Sequence, residues 1–61
     1  MFEPDDAKHY TIAADTTKLR KLWARFANKA IDQGFPRETA INLANMAVGR
    51  SIRRRKRKGR R

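Results

Sequence analysis

The chain reads as mainly α: an antiparallel helical hairpin with an N-terminal arm and a basic C-terminal tail. Three observations predict this. Apolar residues recur at spacings of three and four between residues 19 and 31 and again between 40 and 48, which is the repeat of a helix face. Gly34 and Pro36 separate the two stretches by a link so short that the helices must lie side by side and antiparallel. Nine of the 16 Lys and Arg fall within residues 50–61, a segment with no acid. The chain divides accordingly into an arm (1–15), a hairpin (16–49) and an Arg/Lys-rich tail (50–61).

The arm holds Pro4, the acidic pair Asp5 and Asp6, and a short alternation, Tyr10-Thr11-Ile12. So brief an alternation fits a strand or an extended segment laying Phe2, Tyr10 and Ile12 onto the helices. His9 follows Asp5 by four residues, but one His and two Asp do not make a full metal-ligand set. The expectation is a solvated acidic turn with a surface His, and no metal or cofactor. Such an arm could also fold onto the basic surface when nucleic acid is absent.

The first helix is expected over about 16–33. Asp15 or Thr16 caps it, since a short oxygen-bearing side chain accepts from the unpaired N–H groups of the first turn. Leu19, Leu22, Trp23, Phe26, Ala27, Ala30 and Ile31 form its apolar face, with Trp23 and Phe26 as core anchors. Gly34 supplies the left-handed stop. Lys18, Lys21, Arg25 and Lys29 step along the opposite side as a basic ridge, which serves either as a solvated face or as a set of phosphate contacts.

The second helix is expected over about 36–48. Pro36 suits its first turn and Glu38 its positive end. Ala40, Ile41, Ala44, Ala47 and Val48 face inward. Leu43 on the flank and Met46 beyond it form a second apolar surface, to be buried by the arm or by a partner. Gly49 either terminates the helix or sits inside it at a cost of about 1 kcal/mol. In the second case Ser51 and Ile52 extend the inward stripe and the helix reaches about residue 58. Six adjacent like charges oppose that extension, so the tail is expected to order on an anionic partner.

Composition narrows the function. The net charge is +10, and residues 1–49 account for only +1 of it. Arg predominates in the tail, and its planar guanidinium fits phosphate better than an ammonium does. DNA or RNA is the expected partner, held through Arg50, Arg53, Arg54, Arg55, Lys56, Arg57, Lys58, Arg60 and Arg61, with Lys18, Lys21, Arg25 and Lys29 in support. Arg37, Asn42 and Asn45 are candidates for base contacts, and Leu43 and Met46 for a protein partner. An accessory or viral module that grips a larger nucleic-acid-handling protein is the second reading, with the tail localising it or imitating nucleic-acid contacts.

Catalysis is not expected from a chain with one His, no Cys and no glycine-rich phosphate loop. Without Cys there are no disulfides, which fits a reducing compartment: cytoplasm, nucleoid or a viral particle rather than a secreted setting. No segment approaches the about 20 apolar residues of a membrane span, and only Ile52 lies near the tail charges to aid surface binding to a membrane. A chain of 61 residues is marginal alone, so a homodimer or a protein partner is expected to complete its core.

Two motifs bear on the hairpin. Ala30, Gly34, Phe35, Ala40 and Leu43 fall where a helix-turn-helix wants small, turning and apolar residues, and Arg37, Glu38 and Asn42 would then face bases. Lys29 and Gln33 fall where that motif prefers apolar residues, and a first helix of about 18 residues suits a simple hairpin better. Residues 22–48 also resemble the ChaB-type family of small helical proteins. The resemblance rests on Trp23-x-x-Phe26-Ala27-Asn28-x-Ala30, then Arg37-Glu38-Thr39-Ala40 and Ala44-x-x-Ala47-Val48. Ala27 is an insertion relative to that pattern, and the link between helices is shorter. The resemblance implies a helical pair, in a family of bacterial and viral proteins some of which are suspected of contacting DNA.

Overall fold

The computed structural model describes the backbone of residues 1–59 and the side chains of residues 1–54. A 3₁₀ turn, Pro4–His9, precedes two α-helices, α1 (Thr17–Asp32) and α2 (Arg37–Gly59). The helices pack as an antiparallel hairpin: Gln33, near the end of α1, borders one depression with Leu43 and Met46, while Leu22, earlier in α1, borders another with Ser51 and Arg54. No strand occurs among the described residues. Tyr10 instead closes the 3₁₀ turn, donating its backbone N–H to Ala7 O at 3.0 Å.

Local chemistry sets the helix ends. Thr16, not Asp15, caps α1, its Oγ1 accepting from the backbone N–H of Leu19 at 3.2 Å. At the other end Phe35 N–H donates to Ala30 O and Gly34 N–H to Ile31 O, both at 3.0 Å. This paired closure needs a left-handed residue, and Gly34 supplies it with φ 96°. Pro36 lies just before α2 rather than inside its first turn, and its carbonyl accepts from Ala40 N–H at 2.9 Å.

The helices meet through small residues. Ala27 and Ala30 of α1 face Ala40, Ala44 and Val48 of α2, all buried, which lets the backbones approach closely. Leu19 and Trp23 complete the inward line, and Ile41, Leu43 and Ile52 pack against it half-buried. Trp23 is wholly enclosed within one chain, so its burial does not require a second copy. The arm provides the enclosure that composition alone would assign to a dimer.

Two expected core residues lie elsewhere. Phe26 is 41% and Ile31 42% exposed. At about 100° per residue each is turned well off the Trp23 line, to opposite sides, and an alanine-lined contact is too narrow to cover both flanks. Ile12 is also exposed, because the arm touches the hairpin through Phe2, Ala7, Tyr10 and Ala14. Ala24, outside the expected apolar stripe, is buried.

Gly49 does not end α2. The helix continues to Gly59, the longer of the two expected extents. The packed first half meets the nucleation cost, and each further residue then adds a bond at low entropic expense. A Cβ at Gly49 would meet nothing within 4 Å. Gly49→Ala should accordingly stabilise the protein by about 0.5–1 kcal/mol, seen as a higher thermal midpoint in a circular-dichroism melt.

Candidate nucleic-acid interface

The hairpin has two unlike flanks. The arm covers one. There Trp23 stacks on Tyr10 (centroids 5.5 Å apart, planes 7° apart) and meets Phe2 edge-on at 5.2 Å. The Trp23 indole N–H donates to Asn45 Oδ1 at 2.8 Å, and Asn45 Nδ2 donates to Tyr10 O at 3.4 Å. Asn28 pairs with the backbone of Phe2 in both directions, accepting its N–H at 2.7 Å and donating to its carbonyl at 2.9 Å. Arg20 Nε donates to Ala14 O at 3.2 Å. The arm is thus a fitted lid on the core, held by amide chemistry and ring packing.

This arrangement reassigns two candidate base readers. Asn45 uses both ends of its amide inside the fold, joining Trp23 to the arm. Arg37 donates from Nη2 to the Tyr10 hydroxyl at 2.8 Å and lies 5.4 Å and 5.7 Å from the Phe2 and Tyr10 ring centroids. Cation–ring attraction of this kind holds its guanidinium against the arm. The arm therefore meets a basic residue with its rings, while the Asp6 carboxylate accepts from Glu3 N–H within the arm itself at 2.9 Å. Asn42 remains exposed on α2. Asn45→Ala should cost about 1–3 kcal/mol by orphaning the buried indole N–H, measurable by thermal melting.

The opposite flank is open and cationic. Lys18, Lys21, Arg25 and Lys29 are all exposed on α1. Arg50 and Arg54 of α2 lie across from them, lining with Leu22, Phe26 and Ala47 the depression between the helices. Lys18, Lys21 and Arg25 line its continuation with Leu22 and Ser51. Arg53 is exposed beside this flank. The structure thus brings the α1 ridge and the start of the tail onto one surface, because α2 passes straight through Gly49. Arg55, Lys56, Arg57 and Lys58 continue the helix by their backbone, but their side chains lie outside the described residues, as do Arg60 and Arg61 entirely.

Leu43 and Met46 border the same flank, Leu43 half-buried and Met46 57% exposed. The arm does not cover them. Nothing in the spacing of Asn28 marks it as the residue that ties the arm to α1. His9 and Asp5 are both exposed, and no cluster of metal-ligating side chains occurs among the described residues. No described helix is long and apolar enough to cross a membrane. No family model, curated protein or solved structure matches the chain.

Proposed function

We propose that the protein binds DNA or RNA through the phosphate backbone, with the basic end of α2 as the principal contact and the α1 ridge as the second. One observation carries this reading: α2 runs unbroken from the packed hairpin to Gly59, so Arg50 and Arg54 lie across the interhelical depression from the α1 ridge on the same helix that carries the tail's backbone onward. A fixed cationic surface loses less entropy on meeting phosphates than a floppy one. Arg supplies paired donors, and the flank offers few groups with which to read bases.

Specificity is correspondingly low. Arg37 and Asn45 are committed to the arm, which leaves Asn42 as the remaining candidate for a base edge. Phosphate contacts fix position and carry no sequence information. Fluorescence anisotropy with two duplexes of equal length and unrelated sequence tests this directly. Their affinities should agree within about threefold, and Asn42→Ala should leave both unchanged. Discrimination equal to one good bidentate base contact, about 1–3 kcal/mol and abolished by Asn42→Ala, would instead place recognition in α2.

A further inference from the structure

The open flank carries a second feature that phosphate binding does not use. Between its cations runs an apolar floor made by Leu22 and Phe26 of α1 and Leu43, Met46 and Ala47 of α2. Phe26 and Met46 are the most exposed of these, at 41% and 57%. Lys29 and Arg25 edge the floor on the α1 side, and Arg50 and Arg54 edge it on the α2 side. No acidic side chain lines it among the described residues.

We propose that this groove is a docking site for an acidic amphipathic helix of another protein, one whose apolar stripe is bordered by Asp and Glu. The chemistry of both parts points there. Two packed helices leave a furrow that a third helix fills with residues at i, i+3, i+4 and i+7. Cations on both rims select carboxylates on both edges of that stripe, and favour them before contact as well as after it. Met46 and Leu43 give the floor flexible, adaptable side chains suited to such a stripe.

Other occupants fit less well. A second copy of this chain would bring its own Lys29, Arg50 and Arg54 against the same rims, setting like charges together. A single-stranded nucleic acid would want a row of aromatic platforms, and four of the five floor residues are aliphatic. The floor also presents apolar side chains where bases need hydrogen-bond partners. The floor uses apolar residues that the phosphate-binding reading leaves idle, while its rim cations Arg25, Lys29, Arg50 and Arg54 are shared with that reading.

The test uses the full chain and a synthetic capped peptide of about 18 residues, long enough to become helical once seated. Leu repeats at helical spacing in it, flanked by Glu. The controls are the same peptide with Lys for every Glu, and an oligo-dT strand. The acidic peptide should bind, gain helicity, and perturb the NMR signals of Phe26, Leu43 and Met46, with the Lys peptide at least about 100-fold weaker. The neutral pair Phe26→Gln and Met46→Gln, both at exposed positions, should weaken the acidic peptide at least about tenfold and leave duplex affinity within about twofold.

Four results would overturn the proposal. These are no binding of the acidic peptide, equal binding by the Gln variant, a comparable loss of oligo-dT affinity in that variant, and a concentration-dependent dimer that the Gln pair dissociates. Because duplex binding is followed on the same samples, failure of the groove and failure of the phosphate reading are told apart.

Discussion

Trp23→Ala should leave the chain without a cooperative fold at 25 °C. Trp23 is fully buried at the point where the arm, α1 and α2 meet, so truncation removes more than its own area. Large-to-small changes of a buried Trp cost about 3–5 kcal/mol. A core of this size rarely supplies more than about that amount in total. The substitution also removes the stacked partner of Tyr10 and the edge contact of Phe2, interactions worth about 0.5–1.5 kcal/mol each beyond area. It further leaves Asn45 Oδ1 without its donor. Far-UV circular dichroism should show reduced helicity and no sigmoidal melt. Trp23→Phe, which retains a ring but loses the indole N–H, should fold with a lower midpoint. A cooperative melt of Trp23→Ala near the parent's midpoint would show that the arm and the Trp23 cluster do not hold the fold.

The second large effect concerns charge. Replacing Arg53, Arg54, Arg55, Lys56, Arg57, Lys58, Arg60 and Arg61 with Gln retains good helix propensity and removes all but Arg50 of the tail's cations. Cations distributed around a helix cannot all face one duplex, so about four from the tail and two from the ridge are expected to reach phosphates. Releasing counterions from about six phosphates gives a slope of roughly −5 in log K against log salt. With the tail neutralised the slope should fall to about −2, and affinity at 0.15 M salt should drop by about 10³-fold. Its thermal midpoint should not fall, because Ile52 is the last of the described residues packed on the core. An unchanged affinity would move the contact to the ridge alone.

Residue types and spacing reveal most of the hairpin. The cap at Thr16 and the left-handed Gly34 act within a few residues of themselves, so local chemistry decides them, and the alanines at 27, 30, 40 and 44 mark the two facing stripes by their spacing. Phe26 shows the limit of periodicity. It lies on the apolar arc of α1, but which edge of that arc stays open depends on the width of the facing helix and on where the arm lands. The arm's seat is less legible still. Asn28 and Asn45 act across 26 and 35 residues of sequence, and an exposed-looking Asn carries no mark of the backbone amide it will meet.

The continuation of α2 was ambiguous for an energetic reason. A single interior Gly costs about 1 kcal/mol, comparable with the gain from seating Ile52 on the core, so sequence leaves the two outcomes nearly balanced. The cationic surface shows the same division between composition and geometry. The tail's charge is evident from composition, while the placement of Arg50 and Arg54 across from the α1 ridge follows only once the helix is continuous. Leu43 and Met46 stand out by sequence as a spare apolar surface. Their joining with Phe26 into one floor depends on the antiparallel register.

A salt titration of the full chain tests the central claim most directly, with matched duplex DNA, single-stranded DNA and hairpin RNA as ligands. Phosphate binding predicts a steep linear fall of log K with log salt on the duplex, near −5, and a somewhat shallower fall on the single strand. Affinities for the three ligands should then be similar at physiological salt. A flat salt response, or no binding to any of the three near physiological salt, would contradict the account.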